Sequence, residues 1–461
     1  IHHVGKSSYM KSAEMVEETL HKIKSIDHSG YELRSVLAVS SQALDQAREY
    51  DKSSANLPLA GFPILIKDNI EAIGLPATAG SLALADTPVV RDSTIASRLR
   101  AAGAIIVGAT NLSEWANIRS DRSTSGWSAV GGLTANPWKH SQSAGGSSSG
   151  SGAAVAAQLT QWAIGSETDG SIICPASLNG CVGIKPTVGS IPRDAMIPIS
   201  PSQDTPGPMA HTVGQAARLL DVLTDKKIYS LAAASENKLR IGLVKQWFTK
   251  DDRVNALFDN AVAALAKSGI TVVEINLPEP SESDNEDELN VMLHEILSGM
   301  VEYLAGRSGV RVKNLKEIVE FNQKHADTEL AHFGQELFEK SLELGGRDAE
   351  YKIKRVRNLQ WANQVLALGL ESADVLIGCT YGPAWTSTLG QGDDFGTASW
   401  ITTVPAVAGT PIGTIPMGLV DGLPVGLGFV VGRNQEESLI SVMAQAERTL
   451  GLGVLLPTFI K

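Results

Sequence analysis

Apolar positions along the chain change their period several times, and the changes mark out elements. Over residues 8–53, Ala13, Val16 and Leu20 recur at helical spacing, as do Ala43 and Ala47, which predicts helices joined by polar turns. The run 61–66 (GFPILI) is short and almost continuously apolar. It predicts a strand buried in the interior and ending at Lys67, Asp68 and Asn69. Residues 93–102 return to helical spacing, Gly103 breaks them, and 104–107 reads as the next strand.

From residue 141 to 152 the chain is almost wholly Gly and Ser (SQSAGGSSSGSG). A buried helix is predicted over 153–159, a tight glycine-bearing connection over 164–174, and a short apolar run and turn over 182–190. Further helices are expected over 213–224, 254–268 and 435–449, with strands over 239–244, 272–275, 374–378 and within 412–432. Residues 276–370 are more charged and helix-rich, and predict an insertion or cap facing the substrate. The alternation of helix, glycine and strand places the chain in the α/β class. With no uninterrupted apolar run of 18 residues, no membrane-spanning helix is predicted.

Composition narrows the function classes. Of the 461 residues, 43% are hydrophobic and 19% charged, which fits a folded chain with a large core rather than a disordered one. The net charge of −11 argues against nucleic acid or an anionic membrane as partner. Cys174, Cys181 and Cys379 have no CxxC spacing and read as free core thiols. The nine histidines are scattered and form no HExxH, so no metal is expected. The chain starts at Ile1, which leaves open a removed upstream segment; a soluble protein, cytoplasmic or exported, is the expectation.

The Gly/Ser tract admits three readings. It could be a flexible linker, although a helical pattern follows at once. It could be a phosphate loop, although it lacks the GK[ST] ending. Or it could be an active-site loop, where small residues allow close backbone approach and helix-start amides satisfy a charge. His140 and His211 flank the region and keep a Ser-His-Asp triad in play, but no GxSxG elbow accompanies them.

Long ordered motifs decide among these readings: GFPILIKDNI (61–70), ATNLSEWANIRS (109–120), SGWSAVGG (125–132), AGGSSSGSGAAVA (144–156), GSETDGSIICPA (165–176), GIKPTVG (183–189), SQDTPGPMAHTV (202–213) and GLPVGLGFVVGR (422–433). Together they resemble the amidase signature family, and within it the bacterial peptide amidases. The resemblance covers about 57–225 and 374–449 and is weak through 230–370. It implies one amidase domain over 1–461, with a mixed, twisted β-sheet sandwiched between helices and 276–370 as a variable cap. It also implies a Ser–cis-Ser–Lys triad, with Ser171 as nucleophile, Ser147 as the serine preceded by a cis peptide bond, and Lys67 as the lysine. No cofactor and no obligatory protein partner are implied.

A serine hydroxyl needs a base within reach, and a lysine serves if burial keeps it neutral. Lys67, at the end of an apolar run, suits that role; the alternative is a strand-end lysine reaching solvent. The turn Thr168-Asp169-Gly170-Ser171 is the expected oxyanion hole, with Ser148, Ser149 and Asp204 as supports. Asp169 stands where the broader family usually has Gly, and Ile173 where it often has Arg; peptide amidases resemble this chain at both positions. Asp169 is either a substrate contact or a local turn cap. Ser125, Trp127, Ile173 and Trp385 are candidate substrate walls, and core packing explains the tryptophans nearly as well. The expected reaction is hydrolysis of a linear carboxamide, with the C-terminal amide of a peptide preferred over small aryl or fatty amides, over glutamine in a tRNA-dependent amidotransferase, and over an inactive binding module.

Overall fold

The computed structural model describes residues 10–53, 56–235 and 238–460; residues 8 and 9, where the helical reading began, lie outside them. Thirteen strands are present among these residues: β1 (Val36–Val39), β2 (Pro63–Lys67), β3 (Ile105–Thr110), β4 (Trp127–Ser128), β5 (Gly132–Leu133), β6 (Trp162–Glu167), β7 (Val182–Lys185), β8 (Thr205–Ala210), β9 (Arg240–Val244), β10 (Thr271–Ile275), β11 (Val375–Cys379), β12 (Ile412–Val420) and β13 (Leu423–Val430). Eleven form one sheet in the order β1-β3-β2-β6-β8-β7-β12-β13-β11-β9-β10, while β4 and β5 pair separately. The large sheet is mixed. β2 is parallel to β3 and β6, and β9 is parallel to β10 and β11, whereas the pairs in between are antiparallel. This is the α/β architecture expected, a mixed twisted sheet flanked by helices.

Burial on both faces explains the apolar runs. All five residues of β2 are buried, and Ile64, Leu65 and Ile66 are fully so. Ile64 and Ile66 join one core with the helices Thr94–Ala101, Val213–Thr224 and Glu436–Leu450, while Leu65 points into the opposite core with the helix Ser149–Ala156. Helix ends follow local chemistry. Thr212 and Gln215 form a capping box at the start of Val213–Thr224, and Ser281 with Asp284 does the same for Glu282–Ala305.

Four predictions of local structure need correction. Val36–Val39 is a strand inside the region read as helical, because its antiparallel pairing with β3 outweighs the helical pattern around it. The helix predicted from 153 begins at Ser149, within the Gly/Ser tract. Its glycines reflect contact: a Cβ on Gly150 would lie 2.2 Å from the Ser35 carbonyl oxygen and 2.6 Å from that of Asn111. The region read as a connection, 164–174, holds most of strand β6 and the start of the helix Ile173–Asn179. Strand β8 was not anticipated at all. Its sequence, TPGPMA, carries two prolines and a glycine that argue against a central strand, yet it lies between β6 and β7.

The 276–370 segment is helical as predicted, with the helices Glu282–Ala305, Leu315–Lys324, Ala326–Glu329, Glu336–Leu344 and Ala349–Leu370. It packs on the remainder through a core that joins Ala83, Leu84, Trp115 and Ile197 to Leu293, Met300 and Phe338. Beside that core lies a buried ionic cluster. Arg119 pairs with Glu114 and, at 3.5 Å, with Glu329, all three being shielded from solvent. Glu329 also accepts from Ser81 Oγ at 3.0 Å and the Leu82 N–H at 2.6 Å. Burial and the neighbouring Glu329 push the Glu114 carboxyl far above its usual range. Arg119→Leu is expected to cost about 3–5 kcal/mol by leaving two buried carboxyl groups without their cation. Urea unfolding monitored by circular dichroism measures this, and a loss below about 1 kcal/mol would show that the cluster is dispensable.

Candidate active site

Lys67 is the last residue of β2 and Glu167 the last of β6. The two strands are parallel neighbours, so their carboxyl ends open on the same edge of the sheet, where α/β folds place their ligands. The Lys67 amine is fully buried. Its Nζ lies 2.8 Å from Ser147 Oγ, 3.1 Å from the Ser166 carbonyl oxygen and 3.0 Å from Ser166 Oγ. Desolvation lowers its pKa to about 7, against the opposing pull of the Asp204 and Glu167 carboxylates. A solvent-reaching lysine is thereby excluded.

The peptide bond Gly146–Ser147 is cis, in agreement with the resemblance. Ser147 is fully buried, and its carbonyl accepts the Ser113 N–H at 3.1 Å. Next to it, Ser148 ties three segments together. Its N–H donates to the Ser171 carbonyl at 3.0 Å, its Oγ donates to the Ser166 carbonyl at 3.0 Å, and the same Oγ accepts the Ser166 N–H at 3.1 Å. Ser149 Oγ closes on the Gly145 carbonyl. These bonds bring the Gly/Ser tract, the end of β6 and the turn bearing Ser171 into one cluster.

Gly170, at φ +77°, makes the turn possible, and Ser171 retains a small accessible surface of 8%. Among the described residues the Ser171 hydroxyl has no hydrogen-bond partner, nor do the backbone N–H groups of Asp169, Gly170 and Ser171. The two N–H groups that follow are committed, because Glu167 Oε2 accepts those of Ile172 and Ile173 at 2.6 and 2.9 Å. The result is a free hydroxyl in a turn whose backbone donors are also free. Such an array suits attack on a carbonyl and stabilisation of the oxyanion that forms.

Thr168, which opens the turn, also anchors it through its side chain. Its Oγ1 donates to Asp204 Oδ1 at 2.6 Å, and Asp204 Oδ2 accepts the Ile199 and Ser200 N–H groups, each at 2.9 Å. Burial raises the Asp204 carboxyl to about 6. Ser166, Glu167 and Lys185 went unnoticed in the sequence, and Asn69 was named there only as part of a strand end. Asn69 Nδ2 donates to Ser166 Oγ at 2.9 Å, and buried Lys185 stands near Glu167 and Asp169, donating to the Thr410 carbonyl at 2.6 Å. Ser166 and Glu167 lie within the GSETDGS motif and Lys185 in GIKPTVG, but nothing in residue type alone distinguishes their roles.

The candidate walls divide. Ser125 lies beside the cis bond, with its Oγ 2.7 Å from where a Cβ on Gly146 would sit, and it donates to Asp393 from both N (3.0 Å) and Oγ (2.5 Å). Trp385 packs edge-on against Phe395 with centroids 5.2 Å apart, and Ile173 is buried in the same cluster as Tyr381 and Trp400. Tyr381 is a further addition, since its hydroxyl lies 2.5 Å from where a Cβ on Gly170 would sit. Trp127 instead meets His332, Phe333 and Arg119 at the ionic cluster. His140 packs against Tyr31, and burial pushes His211 down to about 4; neither hydrogen-bonds to a serine of the site.

A small cleft beside Ser147 is lined by Asn69, Ala116, Ser166, Thr168 and Ile197. A larger surface cavity of about 540 Å³ reaches Asp204 and Met196 but none of Lys67, Ser147 and Ser171. No metal-binding cluster of His, Cys, Asp or Glu occurs among the described residues.

Comparison with known proteins places the chain in a family. The Amidase family profile matches residues 14–440. The crystal structure of native peptide amidase from Stenotrophomonas maltophilia superposes with a TM-score of 0.91 at 38% identity, covering 98% of this chain and 96% of that one. Mandelamide hydrolase of Pseudomonas putida is 37% identical over 316 residues, which is 66% of this chain and 60% of its own. A glutamyl-tRNA(Gln) amidotransferase subunit from Exiguobacterium sibiricum is 33% identical over 490 residues, covering 99% of this chain and 98% of its own. The chain belongs to the amidase signature family of hydrolases, which act on carboxamides.

Proposed function

We propose that this chain hydrolyses the C-terminal carboxamide of peptides through an acyl-enzyme on Ser171. The observation that carries the chemistry is the buried Lys67 amine, within 2.8 Å of Ser147 Oγ. A neutral amine has two N–H donors and one lone pair. Given to Ser166 O and Oγ, the donors leave the lone pair for the Ser147 proton. Ser147 then takes the Ser171 proton as Ser171 Oγ attacks the amide carbon. The oxyanion meets the free N–H groups of the Asp169–Ser171 turn, each such donor being worth about 3 kcal/mol in the transition state. The proton returns through Ser147 to the departing nitrogen, ammonia leaves, and water enters by the same relay to release the acid.

Three features support a peptide over other acyl groups. The similarity to the Stenotrophomonas peptide amidase extends over nearly the whole chain, including the 276–370 segment that we assign as the substrate-facing cap of a single amidase unit. Asp169 and Ile173 occupy the two positions where the chain departs from the broader family. Tyr381, Trp385 and half-exposed Phe395 gather beyond the turn as an apolar wall with polar edges, suited to peptide side chains.

Ammonia release from an N-protected dipeptide amide, free glutamine, benzamide and a long-chain fatty amide tests the assignment. The dipeptide amide is expected to be preferred, with activity falling by about 10⁴-fold or more in Ser171→Ala. Preference for glutamine or benzamide would overturn the peptide reading while leaving the serine chemistry in place. A pH profile tests the base. Because only neutral Lys67 can accept a proton, kcat/KM for the dipeptide amide should rise with pH through about 7. Lys67→Arg, which stays charged, should lose about 10²–10⁴-fold at every pH. A flat profile, or an active arginine variant, would rule out the lysine as base.

A further inference from the structure

Asp169 belongs to the turn that carries Ser171, but its carboxylate is held from two other parts of the chain. Thr403 Oγ1 donates to Oδ2 at 3.4 Å, and the Thr402 hydroxyl is a second favourable influence, both at the start of the helix Thr403–Ala408. From the other side comes Glu288, on the helix Glu282–Ala305, brought beside Asp169 by Gln203, whose Nε2 donates to Glu288 Oε1 at 2.8 Å and to the carbonyl of the neighbouring turn residue Thr168 at 3.5 Å. Two ionised carboxylates placed side by side repel and cannot hydrogen-bond, since both are acceptors only. A proton on one of the pair removes the repulsion and supplies a donor. Asp169 Oδ1 is buried and has no hydrogen-bond partner among the described residues, which leaves a place for a donor.

The surroundings decide which carboxyl holds it. Glu288 is 6% exposed, and its Oε1 already accepts from Gln203 Nε2 at 2.8 Å. Burial and the adjacent Asp169 charge push Glu288 well above the usual carboxylate range. Asp169 is also raised by burial, but two threonine hydroxyls, Lys185 and Glu288 itself all favour its ionised form. The other charged or titratable groups facing the pair are Arg355 on the helix Ala349–Leu370, Glu167 behind the turn, and the Tyr381 hydroxyl.

We propose that Glu288 is a positioning residue that, as a carboxylic acid, donates to Asp169 Oδ1 and so holds the Asp169-Gly170-Ser171 turn in place. The contact makes the cap a working part of the oxyanion turn: a residue from the segment with the weakest sequence resemblance fixes the geometry of the most recognisable one. This assignment rests on the serine-amidase reading above, but it has a readout of its own.

That readout is infrared difference spectroscopy of wild type against Glu288→Gln at neutral pH. The wild type should show the carbonyl band of a protonated carboxylic acid, which shifts in D₂O and is missing from the variant. This holds whether or not any amide is turned over, so failure of the pair and failure of the amidase reading can be told apart. Kinetics then separate positioning from packing. Glu288→Gln keeps a donor for Asp169 and should retain kcat within about 3-fold, while Glu288→Leu, of similar volume but without a donor, should lose kcat on the order of 10–100-fold with little change in KM. Equal kcat in the Gln and Leu variants, or no acid band lost from Glu288→Gln, would overturn the proposal.

Discussion

The arrangement depends on keeping one amine out of water. Lys67 has no carboxylate in hydrogen-bond contact; its three neighbours are a serine hydroxyl, a second serine hydroxyl and a carbonyl. Burial disfavours its ammonium form, and the anions that oppose this act only at a distance, since Asp204 is engaged by Thr168 and two N–H groups and Glu167 by the Ile172 and Ile173 N–H groups. Each carboxylate is thus used to hold the turn in shape and is kept from forming an ion pair that would lock Lys67 in its charged form. A buried lysine without such a pair needs apolar walls on both faces, which the interior position of β2 supplies.

The remainder of the fold makes that burial compatible with a free nucleophile. Glycines in the 144–152 tract let a helix approach neighbouring backbone so closely that no side chain would fit at Gly150. The serines between them spend their hydroxyls on carbonyls, Ser148 on Ser166 and Ser149 on Gly145, so little is left unsatisfied around the amine. Among the donors of the Asp169–Ser171 turn, the Ser171 hydroxyl and the backbone N–H groups stay uncommitted in the described residues. Rigidity around an open set of donors is what electrostatic preorganisation requires.

Much of this was legible in the sequence, for identifiable reasons. The fully apolar run before Lys67 announced a buried strand, and Ser147, Ser171 and the TDGS turn were marked by long motifs. Long periodic helices such as Val213–Thr224 came out at their observed bounds because their period and caps agree. What failed was local evidence set against tertiary context. β8 carries two prolines and a glycine, yet pairs on both sides, and β1 is too short to stand out among helical spacings. Polar partners were the least visible. Glu167, Ser166 and Lys185 are ordinary residue types whose roles come from which strand end they occupy. Glu288 sits 119 positions beyond Asp169, so nothing local in the sequence links the two.

The most direct test of the account is the pH dependence of Ser171 acylation itself, measured by mass spectrometry with a serine-directed fluorophosphonate. The account predicts a single adduct on the peptide containing Ser171, formed at a rate that rises through about pH 7 in wild type and is strongly reduced at all pH values in Lys67→Arg. An adduct on another residue, or labelling of Ser171 at an unchanged rate in Lys67→Arg, would contradict it.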